Sequence, residues 1–317
     1  MNRTLASILI PCHNAAPYLA ATLDSALAQT YPEAEVILVD DGSSDGSLEI
    51  ARGYEPRIRV LAGPQRGASE ARNTATSESR GEFIQYLDAD DLLLPGAVAS
   101  RVRALADSGG DVACGDWRRI LPRPDGTWEP GAIETADYRR FDDAPDLAVF
   151  KGFWAPPAAL LYRRSIVDRI GGWNPALPVI QDARFLFDAA FRGGRFVHVP
   201  GDEAHYRQHS SNSLSSRSKA RFWEDVLRNI RDIEGLLIGA GRMDPARRDA
   251  VGKAYALGAR ATFLIDRDLY HANLGDLRRF PEQPWSRYLR AASGLERMLG
   301  YAAAARMMRI LRPGQTA

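Results

Sequence analysis

Short apolar runs alternate with segments of helical periodicity through the first third of the chain, and that alternation leaves few folds open. LASILIP (5–11), EVILVD (35–40), RIRVLA (57–62) and EFIQYLD (82–88) read as strands. Between them, APYLAATLDSALAQT (16–30) carries Leu19, Leu23, Ala26 and Leu27 at the i, i+4, i+7, i+8 positions of a helix face. SDGSLEIARGY opens a second helix with Ser and Asp in capping positions, and SEARNTATSESR (69–80) reads as a third. Strand and helix in turn at this spacing predict βαβ units: an α/β fold with a Rossmann-like, mostly parallel sheet flanked by helices.

The texture changes twice further on. From about residue 111 to 210 the pattern is less regular. DVACGDWRRI reads as a strand, Pro122 to Pro157 as loops, and AALLYRRSIVDRIGGW as strand, helix and glycine stop. DARFLFDAAFRGG (182–194) is a helix ending in a glycine pair, and RFVHVPG a last strand. After SSNSLSSRSK (210–219) the chain becomes helical and rich in Ala, Leu and Arg. This places a boundary near 215, giving domains 1–215 and 216–317, the second a helical C-terminal extension.

Composition excludes several classes. Lys and Arg number 41 against 40 acids, so bulk charge points to no nucleic-acid partner. The two cysteines, Cys12 and Cys114, make neither a disulfide framework nor a zinc pattern. MNRTLASILIPCHN lacks the apolar length and cleavage site of a signal peptide. No stretch reaches the roughly 18 apolar residues of a membrane span. The default location is cytoplasmic.

Ligands of open parallel sheets bind beyond the carboxyl ends of the strands. Four features fall there: PCHN (11–14), DDGSSD (40–45), RGASEARN (66–73) and DADD (88–91). The turn PCHNAAPY has no glycine, so it is no dinucleotide fingerprint, and no P-loop is present. Phosphates would then need another counter-charge. Asp88 and Asp90 on a short turn can share a divalent cation, Mg²⁺ or Mn²⁺, with phosphate oxygens.

Taken together, SILIPCHN, DDGSSD, GASEARN and YLDADD resemble the inverting family 2 glycosyltransferases of the GT-A fold. The resemblance continues through LLYRRSIVDRIGGWNPAL, QDARFLFDAAFRGG and YRQHSSNSLS, and covers about residues 5 to 215. It implies a metal-dependent enzyme moving a sugar from a nucleotide-diphosphate donor, UDP first among the bases, to a saccharide or lipid-linked acceptor in bacterial polysaccharide or glycan synthesis. It also implies roles. Pro11, His13 and Asn14 would line the nucleotide pocket. Asp41 would accept from uracil or ribose, and Arg72 would pair with nucleotide or diphosphate. Asp88 would face ribose and metal. Asp90 would ligate the metal, with His209 completing its shell. Arg207 would hold diphosphate. The family's Glu-Asp pair stands here as Gln181-Asp182, with Asp182 the general base.

Plainer readings stand beside these. Asp40 can simply shape its turn, and Asp91 can cap a helix before LLLPGAV. Asp182 can serve the dipole of its own helix, and Arg72 can be a surface arginine. His205 reads as structural, and Cys12 as packing at a strand end. Trp117, Trp154 and Trp173 are candidates for stacking on an acceptor sugar or for the core. Two rival functions remain open: a nucleotidyltransferase of similar fold, and a non-catalytic nucleotide-sugar-binding protein. The arginine-rich, amphipathic tail WSRYLRAASGLERMLGYAAAARMMRILRPG has two readings. It packs on the catalytic domain or on a second subunit in a homodimer, or it lies peripherally on the inner face of the membrane.

Overall fold

A computed structural model describes residues 4–137, 139, 144–208, 218–283 and 287–311. The first third follows the expected alternation: β1 (Ala6–Cys12), α1 (Ala16–Leu27), β2 (Ala34–Asp40), α2 (Ser47–Arg52), β3 (Arg59–Ala62), α3 (Ala68–Glu78) and β4 (Phe83–Tyr86). Every residue of β1 is buried, as are the last five of β2. Their side chains therefore pack on both faces of the sheet, which is why these runs are continuously apolar rather than alternating. Each such Ile, Leu or Val adds roughly 1.5–3 kcal/mol by leaving water.

The remaining elements of the sheet unit are β5 (Leu92–Leu93), α4 (Ala97–Ser108), β6 (Val112–Pro122), β7 (Trp128–Glu134), α5 (Pro145–Phe150), β8 (Leu160–Arg163), α6 (Arg164–Ile170), α7 (Gln181–Phe191) and β9 (Phe196–Arg207). The strands run in the order β3-β2-β1-β4-β8-β6-β9-β5, with β7 paired to β6. Pairings among β1 to β4 are parallel, as is β6 with β9. Those made by β8, β5 and β7 are antiparallel. The parallel reading thus holds for the half built from βαβ units, and the return strands make the sheet mixed.

Two expectations for the middle section need correction. The stretch from Pro122 to Pro157 is not all loop, since it contains β7 and α5. The alternation in Trp128–Glu134 is masked by a glycine and a proline, which an edge strand tolerates. The last strand does not stop at Gly201. It runs on to Arg207, because a register shift against β6 between Gly115 and Trp117 absorbs the Pro-Gly interruption.

The chain divides into two compact units, Met1–Ser211 and Asn212–Ala317. The second is helical: α8 (Lys219–Gly239), α9 (Pro245–Thr262), α10 (Arg267–Leu277), α11 (Arg287–Leu299) and α12 (Tyr301–Leu311). Ser218, Asp244 and Asp266 cap the first three by accepting from Arg221 N, Arg247 N and Leu269 N. Glu234 is buried but matched, accepting from Tyr255 Oη at 2.6 Å and from both terminal nitrogens of Arg279 at 2.8 Å.

Candidate active site

Because β1, β2 and β3 are parallel, Cys12, Asp40 and Ala62 end at one edge of the sheet. The turns that follow interlock there. Asn14 takes a left-handed φ of 54°, and its side chain and backbone bind the second turn. Its Oδ1 accepts from Ser44 N at 2.8 Å, and its N donates to Ser43 Oγ at 3.0 Å. His13 Nδ1 lies 3.1 Å from Asp41 O, and its Nε2 lies 3.1 Å from Asn14 Nδ2. An amide N–H pointing at Nε2 leaves the proton on Nδ1, so the ring donates to the Asp41 carbonyl. Pro11 is buried beneath them.

The acids of DDGSSD are bound largely to backbone. Asp45 Oδ2 accepts from Ala16 N at 3.0 Å and Oδ1 from Ser47 N at 3.1 Å, so one carboxylate caps both α1 and α2. Asp40 accepts from Ser43 N. Asp41 accepts from Gln65 N at 2.7 Å and Arg66 N at 3.4 Å through Oδ1, and from Gly67 N at 2.7 Å through Oδ2. Asp41 is therefore already engaged: it pins the loop that leads into α3, and any ligand contact would use its remaining lone pairs.

The turn after β4 differs. Arg72, on α3, is buried and pairs with Asp88 Oδ1. Its guanidinium lies 4.3 Å from the centre of the Trp173 ring, which stacks on Phe185 at 4.2 Å. Arg72 Nε and Nη1 have no hydrogen-bond partner. Trp173 is itself held by Asn73, which donates to its carbonyl at 3.0 Å and accepts from its N–H at 2.7 Å. Only glycine fits beside this clasp at Gly172: its φ is +107°, and a Cβ there would stand 2.9 Å from Asn73 Oδ1.

Burial pushes the Asp88 carboxyl above its ordinary pKa; Arg72 opposes, while Asp90 and Asp182 push it further up. The three acids thus lie within electrostatic reach of one another. Asp91 is raised well above the ordinary value by burial and then by Asp90 and Asp88. Asp91 is not a helix cap, because α4 begins only at Ala97. It accepts from Arg207 N at 2.9 Å, and its Oδ2 is buried without a partner. Arg207 donates to the Asp90 carbonyl at 2.6 Å, and its guanidinium sits 5.6 Å from the centre of the Tyr18 ring and 5.3 Å from that of Trp128. Burial lowers its pKa, and Asp91 and Asp90 counteract that.

Asp182 stands in the first turn of α7. Its Oδ2 accepts from Trp154 Nε1 at 2.8 Å and its Oδ1 from Ala183 N at 2.8 Å. Trp154 packs edge-on against Trp117 and Tyr206, with ring centres 5.4 and 5.7 Å away. Trp117 and Trp173 are core residues at 1% and 3% exposure, which removes them as acceptor platforms. Trp154 is half-buried, and sequence alone gave no sign that its indole N–H holds Asp182. Gln181 is buried with Oε1 unpartnered. His205 pairs with Asp202, in keeping with a structural role.

Among the described residues no three His, Cys, Asp or Glu side chains form a ready metal cage. His209 lies outside the described residues. The donor set that is described nonetheless suits a hard divalent cation: carboxylate oxygens only, one of them on an acid raised by burial first and by like charges after it, next to the orphaned Asp91 Oδ2. Buried guanidinium N–H groups without partners suit an anion.

Glycosyl transferase family 2 matches residues 7–171, just over half of the 317 residues. The glycosyltransferase EpsJ of Bacillus subtilis is 30% identical over 228 residues, covering 67% of this chain and 63% of EpsJ. The chain spans less than two thirds of the length of the first curated relatives it matches. Among solved structures, S. aureus TarS 1-349 in complex with UDP-GlcNAc superposes with a TM-score of 0.71 at 19% identity, covering 98% of this chain and 92% of that one. Mannosyltransferase PcManGT from Pyrobaculum calidifontis, in complex with GDP-Man and Mn²⁺, superposes with a TM-score of 0.57 at 21% identity, covering 99% and 89%. At such identities these structures speak for the GT-A fold. The family match reaches from β1 through the Arg72–Asp88 pair to the end of α6, and on that ground this chain belongs to glycosyl transferase family 2.

Proposed function

We propose that the enzyme transfers a sugar from a nucleotide-diphosphate donor, a UDP-sugar first, to a hydroxyl of a saccharide or lipid-linked acceptor, with inversion at the anomeric carbon. One observation carries the reading: Asp88 is repelled by Asp90 and Asp182 while paired to a buried, half-satisfied Arg72. Crowded carboxylates favour a cation, and a guanidinium with idle N–H groups favours an anion. A metal-bound diphosphate supplies both. The complexes of PcManGT with GDP-Man and Mn²⁺ and of TarS with UDP-GlcNAc support the same choice.

Asp88 and Asp90 would hold Mg²⁺ or Mn²⁺, with His209 as a further ligand. Once bound, the ion would offset charge on the departing diphosphate. The chain's own residues do the rest. Pro11, His13, Asn14 and Asp41 border the nucleotide. Arg72 and Arg207 balance the phosphates. Asp182 takes the proton of the acceptor hydroxyl as that oxygen bonds to the anomeric carbon and the bond to diphosphate breaks. The indole of Trp154 fixes the carboxylate during the transfer. We assign this chemistry to residues 1–215 and acceptor selection to the 115–180 stretch and the helical unit.

A donor screen tests the reading. UDP-, GDP- and dTDP-sugars are compared by thermal unfolding and by slow nucleotide release, each with Mn²⁺ and with EDTA. One donor should raise the melting temperature with Mn²⁺, and a ligand at about a hundredfold its Kd adds about 2.7 kcal/mol. Equal stabilisation in EDTA would remove the metal from the scheme. Stabilisation without any release of nucleotide would favour a non-catalytic binder.

A further inference from the structure

The last two helices carry an outer face that the transfer reaction does not use. Their inner faces are anchored: Tyr288, Leu289 and Ala292 of α11 and Ala304, Ala305 and Met308 of α12 are buried. Tyr301 Oη donates to the Phe263 carbonyl at 2.6 Å, and the two rings lie 5.5 Å apart edge-on. The hairpin is thus seated on its neighbour, and its outer surface is a defined face.

That face is apolar where a surface should be polar. Met298 is 79% exposed and Ile310 78%, with Leu299 at 48% and Met307 at 41% between them. Scattered exposed hydrophobes are ordinary, but here Met298 and Leu299 close α11 side by side, and Met307 and Ile310 stand about one turn apart on α12. Within the hairpin the charge is mostly of one sign. Arg287 to Leu311 contains five arginines and a single acid, Glu296. Glu296 lies 2.8 Å from His271. Arg287, Arg297 and Arg306 are exposed.

We propose that this face docks on an anionic lipid bilayer. Apolar side chains would enter the boundary between headgroups and acyl chains, and the arginines would meet lipid phosphates. A second copy of the same face would set arginines against arginines. No helix among the described residues is long and apolar enough to cross a membrane, so the hairpin would lie in the interface. The proposal does not depend on the donor or on the roles of Asp88, Asp90 and Asp182.

Flotation of the full chain with vesicles tests it. Vesicles of phosphatidylcholine alone are compared with vesicles in which about one third is phosphatidylglycerol. The protein should float with the anionic vesicles only, and less as salt rises. The exposed pairs Met298→Ser/Ile310→Ser and Arg297→Gln/Arg306→Gln should each lower the bound fraction about tenfold or more, with unchanged melting temperatures. Failure to float with anionic vesicles, or equal flotation of both variants and the parent, would overturn the proposal. So would a concentration-dependent dimer that the Met298→Ser/Ile310→Ser variant abolishes in the absence of lipid, which would assign the face to a second copy.

Discussion

Asp41 and Asp88 follow β2 and β4, the two strands that flank β1, and both carboxylates are largely shielded from water. Their partners differ in kind. Asp41 faces three backbone N–H groups of one loop, and Asp45 likewise caps two helices. Asp88 faces one guanidinium and two other acids, and Asp91 keeps an oxygen with no partner at all. Backbone donors are fixed by the fold, so an acid saturated by them stabilises structure. Acids crowded together raise one another's pKa and weaken the fold, so they persist where a ligand relieves them. The first turn is built into the fold by its backbone partners, and the second is the one at which we propose that a cation binds.

The largest expected effect lies with the third acid. Asp182→Asn keeps shape and the acceptor for Ala183 N but loses the base. Transfer should fall by about 10²–10⁴-fold, while donor binding, read by calorimetry, survives. Near-parental turnover in that variant would leave Asp182 a helix acid only.

The two turns separate next. Asp90→Asn should cut activity by at least about tenfold and abolish the Mn²⁺ dependence of donor binding, with no loss of melting temperature in metal-free protein, because it relieves Asp88 and Asp91. Asp41→Asn should do the reverse in stability. One face of the amide then presents N–H groups to the N–H of Gly67 or Gln65, at a cost of about 1–3 kcal/mol. If both variants melt alike, the contrast between the turns is wrong.

Much of the first unit was legible because its signals are local. Continuous apolar runs such as VILV (36–39) mark strands buried on both faces, and the four acidic or polar turns fall at carboxyl ends by chain order alone. What escaped depends on contacts across long separations. Asp45 caps α1 from 29 positions away, and Trp154 reaches Asp182 across 28. Asp91 looked like a cap because acids before a helical run usually are. Its real partner, Arg207 N, comes from a strand 116 residues later. The β7 strand was hidden by its Pro and Gly, and with it the Trp128 ring beneath Arg207.

Trp154→Phe tests one of those hidden contacts with a smaller effect. Phenylalanine keeps the edge-on packing against Trp117 and Tyr206 but drops the N–H. A hydrogen bond to a charged group is worth about 1.5–3 kcal/mol. We expect kcat to fall roughly 10- to 100-fold with KM for the donor little changed. A fall in donor affinity with kcat unchanged would make Trp154 a packing residue.

The smallest effect probes the one strained spot of the otherwise satisfied first turn. Asp40 has a buried Oδ1 without a partner, beside Cys12 at the end of β1. Burial first, and the Asp40 charge second, push the Cys12 thiol up to about 11. A thiol raised in the folded state stays protonated there after the unfolded chain has ionised, near about 8.5. Stability is therefore intact below that pH and declines as pH rises through 11. Cys12 should resist iodoacetamide at pH 8 in the native protein and react on unfolding. Asp40→Asn should shift the onset of native labelling to lower pH without changing transfer, whereas an unmoved onset would mean that burial alone holds the thiol and that Asp40 carries no strain.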